Sequence, residues 1–421
     1  MKTVTAIMIG AGDRGLRAYG AYAKNQPEDI KFIAVADIDE EKRKKFAEVH
    51  GIADEMIFDS WDPVFTKEKF ADAVFICTNE RFHAVPAKLA MKKGYHILLE
   101  KPIATDPETS LEIGELAEKY NKTFMLGYVL RYTPFFNKIK QFLDSGIIGK
   151  LCTIQHTENV GIDHYSHSFV RGIFNKESNA GPMILAKSCH DMDIMNFFAG
   201  SKCKKIASFG SKSYFCSENA PLGAPDRCTE GCPISDNCRF FAPRMYLSEK
   251  DGFNVDMISV DTSPEAKMQA LRTGPFGRCV YRCDNDVLDQ QVVIMEYENG
   301  INVAFVMNSY SFTCDRRIRI MGTDGEIRGH FGKNQIEIYN FHSRDVELYK
   351  VNTVVDRHGG GDYYIMNDFI KMVRTGLGSN RTNVADSTMS HLMCFASEKA
   401  RKEGSVIYLE EYMNELRNSF K

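Results

Sequence analysis

The chain has no surplus of positive charge. Its 421 residues carry 53 Lys and Arg against 56 Asp and Glu, for a formal net charge of −3. Nothing in that balance neutralises a phosphate backbone, so nucleic acid is excluded as an expected partner. Long apolar runs are missing too. A bilayer-crossing helix needs about 20 successive apolar residues, no segment approaches that, and no membrane is expected. The residues ahead of the first glycine turn, Met1 to Ile9, are too few for a secretory leader. The expected location is therefore cytoplasmic, where thiols stay reduced. That removes a disulfide framework and leaves the 12 cysteines as thiols or metal ligands. What is present, 43% hydrophobic and 26% charged residues, is the composition of a folded protein. The length calls for two domains and leaves room for an insertion.

The first informative segment is Thr5 to Ile9, an apolar run that ends in Gly10-Ala11-Gly12-Asp13-Arg14-Gly15 and leads into a helix-compatible stretch to about Lys24. This is G-x-G-x-x-G between a strand and a helix. Gly10 permits the tight turn, Gly12 lets the backbone approach a pyrophosphate, and Gly15 lets the helix pack on the strand. A second buried-type strand, Lys31 to Ala36, ends in Asp37. An acid there accepts hydrogen bonds from the adenosine ribose and repels a 2′-phosphate, which favours NAD over NADP. Ile38 follows, and Lys42 and Arg43 fall on the solvated face of the next helix.

Strand and helix then alternate: Ala71–Cys77 and Tyr95–Leu99 read as strands, with a helix over His83–Lys93 between them. Pro107–Tyr120 reads as a helix and Thr123–Val129 as a strand. Such alternation means parallel βαβ units, so residues 1–125 are expected to form a doubly wound, Rossmann-type domain. Ligands bind at the carboxyl ends of its strands. Thr78, Asn79 and His83 lie at one such end, and Glu100-Lys101-Pro102 at another.

From Leu151 the pattern changes. Strand-like runs at Leu151–Val160, Lys205–Phe215, Gln291–Tyr297, Ile301–Tyr310, Arg316–Met321 and Gln335–Phe341 are joined by turns such as Asn299-Gly300. Two helices, Asp362–Thr375 and Ala385–Glu403, are expected to close the chain. Residues 126–421 thus read as an α+β domain for substrate and assembly, and the overall class is α/β joined to α+β. A Pro-, Gly- and Asn-rich stretch within it, about 216–290, reads as an insertion with little core of its own. It contains Cys228, Cys232 and Cys238, with Cys279 and Cys283 further on. A loop of this kind is often stapled by a metal. The three close cysteines are candidate ligands for a structural zinc, an iron–sulfur cluster being the alternative and free thiols the bland reading.

Taken together, the glycine motif, Asp37, Thr78-Asn79 with His83, and Leu99-Glu100-Lys101-Pro102 resemble the Gfo/Idh/MocA oxidoreductase family (glucose–fructose oxidoreductase, inositol dehydrogenase, rhizopine catabolism). Gly127, Arg131-Tyr132-x-Pro134 and Gly146-x-x-Gly149 continue the match over the first 150 residues. The resemblance implies an open, mostly antiparallel sheet in the second domain, a homodimer or homotetramer formed through that sheet, and a Lys101 that contacts both nicotinamide and reacting hydroxyl. It makes Gly10, Ala11, Gly12, Asp13, Arg14, Gly15, Asp37, Thr78, Asn79, His83, Glu100 and Lys101 the expected cofactor contacts.

His190 stands where relatives place a proton acceptor, and Asp193 fits an acid three residues beyond it. The aspartate usual four residues before it is replaced by Ala186. Lys187, three residues before His190, is expected on the same helical face, where it orients substrate or lowers the imidazole pKa. Lys101, His190 and Lys187 are the catalytic candidates. Arg131, His167, Ser168, Arg171 and Asp193 are the candidate substrate contacts, since a sugar needs many paired donors and acceptors. Two further polar stretches, 274–290 and 358–362, are candidates for lining the cleft, with Asp362 readable as a helix cap. Three functions fit. The first is an NAD-dependent dehydrogenase acting on a secondary alcohol of a sugar, sugar derivative or cyclitol. The second is a glycoside-cleaving enzyme that oxidises transiently and eliminates. The third is a non-catalytic nucleotide-binding protein, which the presence of both Lys101 and His190 disfavours.

Overall fold

The computed structural model describes residues 2–248, 258, 259, 261–353, 358–378 and 380–419. Six strands build the first sheet: β1 (Val4–Ile9), β2 (Ile30–Ala36), β3 (Ile57–Phe58), β4 (Ala73–Ile76), β5 (His96–Leu99) and β6 (Phe124–Leu126). All neighbours are parallel, in the order β3-β2-β1-β4-β5-β6. Runs such as Ala73-Val74-Phe75-Ile76 are buried at every position, as a sheet covered on both faces requires. The order reverses between β1 and β4, which opens a crevice at their carboxyl ends. Late in the chain, helix Gly361–Thr375 returns to this sheet. Ile365, Met366, Phe369 and Ile370 share one core with Met8, Phe32 and Phe75, and Phe369 meets Phe75 edge-on at 5.2 Å.

The second sheet has nine strands: β7 (Leu151–Gly161), β8 (Cys203–Ser211), β9 (Gln290–Tyr297), β10 (Asn302–Ser311), β11 (Asp315–Gly322), β12 (Gly325–His330), β13 (Gln335–Asn340), β14 (Val346–Lys350) and β15 (Ile407–Tyr408). Their order is β14-β13-β12-β11-β7-β10-β9-β8-β15, and every neighbouring pair is antiparallel except β7 with β10. One face packs inward through Ile154, Met295, Phe305 and Ile320, while Phe209, Val292 and Ile294 on the other are exposed. Among the described residues no helix is long and apolar enough to cross a membrane.

Several short elements depart from the sequence reading. Strand β3 has two residues, β12 carries two glycines that weaken its strand signature, and β14 is an exposed edge strand. A third closing helix, Leu409–Ser419, follows the two expected. It is seated by Leu409, Tyr412 and Leu416, whose spacing puts them on one face. The inserted stretch between β8 and β9 has a small core of its own, Cys228, Ala242, Tyr246 and Leu271.

Candidate active site

The glycine loop is crowded on two sides and open on the third. A Cβ at Gly10, whose φ is +92°, would lie 2.5 Å from the Cys77 carbonyl, and one at Gly15 would lie 2.3 Å from the Gly10 oxygen. At Gly12 a Cβ would meet nothing within 4 Å. The loop is thus packed against β4 yet leaves free space where a pyrophosphate would approach, so the residues fit a dinucleotide. Asp37, at the end of β2, accepts hydrogen bonds from the Ala11 amide at 2.6 Å and the Asp39 amide at 2.9 Å. Each carboxylate oxygen keeps a lone pair for a ribose hydroxyl. Ile38 is 81% exposed beside it. Arg43 donates to the Asp37 and Ile38 carbonyls at 3.3 Å, so it caps the strand end rather than lying free on the helix face.

Other motif residues turn out to hold the loops. Arg14 donates to Glu100 at 2.6 Å and to Asp362 at 2.7 Å, and Tyr19 donates to Glu100 at 2.6 Å. Burial alone would raise the Glu100 carboxyl; Arg14, the Tyr19 hydroxyl and Lys101 outweigh it and keep the group ionised. Gly127 leaves the space, since a Cβ there would sit 2.9 Å from Glu100 Oε2. Asp362 is no helix cap; Gly360 holds that position, and Asp362 pairs with Arg14 and with His358 at 2.9 Å. The buried His83 ring lies between the Pro102 carbonyl at 2.6 Å and the Thr78 carbonyl at 3.1 Å, joining the ends of β4 and β5. Asn79 Oδ1 is buried without a partner among the described residues.

Lys101 follows the end of β5, and its Nζ donates to the Ala186 carbonyl at 2.8 Å. A backbone oxygen therefore receives the lysine at the position where the expected aspartate is missing. His190 lies in the first turn of helix Cys189–Ala199, buried beside Tyr128, with ring centroids 5.6 Å apart. Its Nδ1 has no partner among the described residues. Burial first, and then the charges of Lys101, Arg316, His358 and Lys187, hold the imidazole well below its ordinary pKa. Lys187 is not on a continuous helical face with His190. One helix ends at Ala186 and the next begins at Cys189 after Ser188. Lys187 instead faces Glu158 of β7 at 3.6 Å.

Behind these groups lies a charged layer. Arg316 pairs with Glu158 at 2.7 Å and with Asp191 at 2.8 Å, and His156 meets Asp191 at 2.7 Å. Arg316 and the His156 contact overcome burial and hold the Asp191 carboxyl near 2. Glu158, buried next to Asp191, is pushed up despite Arg316 and Lys187. Glu158 and Arg316 were not read from the sequence, although the alternation of β7 puts Ile154, His156, Glu158 and Val160 on its buried face. A carboxylate in that register was the available signal.

Four of the five expected substrate contacts spend their side chains on other parts of the chain. Arg131 grips Asp193 with two bonds of 2.6 Å and gives a third, also 2.6 Å, to the Arg381 carbonyl. Asp193 is wholly buried, so the pair is an internal clamp. The segment from His164 is helical, not a polar loop. His167 points into the insertion, stacked on Phe276 at 4.7 Å and within 2.9 Å of the Tyr246 hydroxyl, and burial lowers its pKa to about 4. Arg171, 2% exposed, donates to the Arg278 and Phe240 carbonyls, both at 2.7 Å. Ser168 is part-buried in the same turn, its carbonyl accepting from the Phe174 amide. The stretch 274–290 braces the insertion as well: the Gly277 carbonyl accepts from the Cys228 amide, and the Cys279 amide donates to the Asp226 carbonyl.

The cysteines named as candidate metal ligands come close together. Cys228, Cys232, Cys238 and Cys279 face one small apolar cavity. Among the described residues, however, no group of three or more His, Cys, Asp or Glu side chains is placed to hold a metal ion. Burial raises Cys238 and Cys279 and takes Cys283 to about 11. Arg171 also fastens this stretch: it crosses from the second domain into the insertion and touches Cys228 Sγ at 3.5 Å.

Two family profiles match the chain: the oxidoreductase family's NAD-binding Rossmann fold over residues 4–128, and its C-terminal α/β domain over residues 140–407. The chain belongs to the Gfo/Idh/MocA oxidoreductase family. It is thus an NAD-binding oxidoreductase with a parallel Rossmann sheet and a mostly antiparallel second sheet. It is similar to D-glucoside 3-dehydrogenase of Escherichia coli, 24% identical over 46% of this chain and 53% of the relative. It is also similar to inositol 2-dehydrogenase of Corynebacterium glutamicum, 30% identical over 32% of this chain and 37% of that enzyme. These matches span about half or less of either relative. A solved levoglucosan dehydrogenase, in complex with NADH and levoglucosan, superposes with a TM-score of 0.72 at 17% identity, covering 97% of this chain and 99% of that one.

Proposed function

We propose that this member of the family uses NAD to oxidise a secondary alcohol on a sugar, a sugar derivative or a cyclitol, with Lys101 and His190 acting on the reacting hydroxyl. One observation carries the reading. A strand-end ammonium at the nucleotide crevice is held by the Ala186 carbonyl, four residues before a buried imidazole whose Nδ1 has no protein partner among the described residues. Alcohol oxidation needs that combination: a cation at the oxygen and a neutral base for its proton. When bound, the nicotinamide supplies the hydride acceptor.

Lys101 keeps one N–H on the Ala186 carbonyl. Its others remain for the substrate oxygen, where they stabilise negative charge as it forms. His190, kept unprotonated at neutral pH by burial and its cationic neighbours, accepts the proton without first losing one. Glu100 and Asp362 fix Arg14, and with it the glycine loop, against the end of β5. The named relatives act on a glucoside and on inositol, which supports the polyol class.

A panel of sugars, glycosides and cyclitols supplied with NAD tests the reading. NADH should accumulate in step with the oxidised product. Glycoside cleavage without net NADH would favour transient oxidation and elimination. Turnover of none of them, with NAD still bound, would leave a nucleotide-binding protein.

A further inference from the structure

The charges around His190 are arranged with the cations forward and the carboxylates behind. Glu158 and Asp191 have side chains 1% and 0% exposed, whereas those of Lys187 and Arg316 are 23% and 14% exposed. Arg316 is spent on the two acids, at 2.7 Å and 2.8 Å. Lys187 is not. Its only ion pair among the described residues is the 3.6 Å approach to Glu158, too long for a hydrogen bond. An ammonium has three donors, and this one is left with no hydrogen-bonded acceptor among those residues.

Its position matters as much as its unspent donors. Lys187 lies between Ala186, whose carbonyl holds Lys101, and Ser188, which precedes the His190 helix. The carbonyl that holds Lys101 thus belongs to the residue next to Lys187, and His190 follows in the first turn of the next helix. A group held by Lys187 is therefore part of the same molecule that meets Lys101 and His190, or lies directly against it. A neutral hydroxyl gains a modest hydrogen bond from such an ammonium. A carboxylate gains a charge-assisted one in a weakly screened site.

We propose that the alcohol substrate carries a carboxylate, as uronic and aldonic acids do, and that Lys187 binds it. The proposal rests on the dehydrogenase reading and narrows its substrate class. It also gives the cationic surroundings of His190 a use. Burial is the first cause of the low imidazole pKa, and an anion on Lys187 offsets part of the cationic share that adds to it. A phosphate ester is the rival anion. A single ammonium matches a carboxylate's one negative charge and leaves the second charge of a phosphate ester uncompensated.

Calorimetric titration of the NADH-loaded protein tests this with paired probes: glucuronate against glucose, galacturonate against galactose, gluconate against glucitol, and glucose 6-phosphate as the phosphate arm. At least one acid should bind ten-fold or more tighter than its neutral parent. Lys187→Met should close that gap, and Lys187→Arg should keep most of it. If Lys187→Met folds poorly because Glu158 is left with less compensation, the Lys187→Met/Glu158→Gln double variant removes the stranded charge and should close the gap in the same way. Parents that bind as well as their acids, a phosphate that binds best, or a gap that survives loss of Lys187 would each overturn the proposal. NADH formation is read separately. An acid that binds through Lys187 but is not oxidised would leave this assignment standing and remove the dehydrogenase reading instead.

Discussion

Replacing Arg171 with methionine should weaken the fold and leave substrate recognition alone. The side chain is 2% exposed and donates two hydrogen bonds of 2.7 Å to the Arg278 and Phe240 carbonyls, both within the inserted stretch. Bonds from a charged donor are worth about 1.5–3 kcal/mol each, and the two carbonyls would stay buried without it. Part of that loss is returned because a buried guanidinium no longer has to be desolvated. Methionine keeps similar length and fills the space. The balance is a destabilisation of about 2–4 kcal/mol. It should be concentrated in the insertion, because the two bonds from Arg171 tie that stretch to the second domain. Urea unfolding measures the total. Limited proteolysis read by mass spectrometry should show new cleavage within 216–290, with KM for a verified substrate unchanged. A variant of normal stability whose KM rises sharply would refute this and return Arg171 to the substrate site.

Asp37→Ala should narrow the preference for NADH over NADPH in measured dissociation constants and weaken both, because the Ala11 amide loses its 2.6 Å acceptor; tighter binding of NADPH to the unaltered protein would rule out the ribose role. Acid should destabilise the fold below about pH 6.5. His391 accepts from the Ile103 amide at 2.9 Å and is buried, which lowers its pKa to about 3. The unfolded chain then binds the extra proton, and stability falls by about 1.4 kcal/mol per pH unit between the two pKa values. His391→Gln should flatten that slope in urea titrations at several pH values, and an unchanged slope would count against it. The open face of the second sheet, with Phe209 74% and Ile294 48% exposed, is expected to pair copies of the chain. Phe209→Asp with Ile294→Lys should lower the mass found by light scattering, and an unaltered protein that already runs as a monomer would refute the pairing.

Much of the first domain was legible because its signals are local. The glycine motif, the buried runs of β1, β2, β4 and β5, and the lysine at a strand end each lie within a few residues. The chain's return to that sheet through Phe369 and Ile370 was not legible, since an apolar helix face does not name its partner. The partners of the polar residues were hidden for the same reason. Arg131, His167 and Arg171 have the chemistry of sugar contacts, but distant residues decide where they are spent: Asp193, Tyr246 and Phe240. Lys187 and His190 were placed on one face by spacing, whereas the helix break at Ser188 depends on local backbone geometry that the spacing does not carry. Glu158 was the reverse case, a carboxylate in a buried register whose strand periodicity was in plain view.

The most direct test is turnover of a verified substrate by His190→Ala and Lys101→Ala, measured as NADH formation alongside NADH affinity. His190→Ala should lower kcat by about 10²- to 10⁴-fold, the usual worth of a general base, with cofactor affinity nearly unchanged. Lys101→Ala should lower kcat at least as far, and both variants should keep the parent's unfolding midpoint to within a few degrees. Near-normal turnover by a folded His190→Ala variant would contradict the account and leave Lys101 or Lys187 to handle the proton.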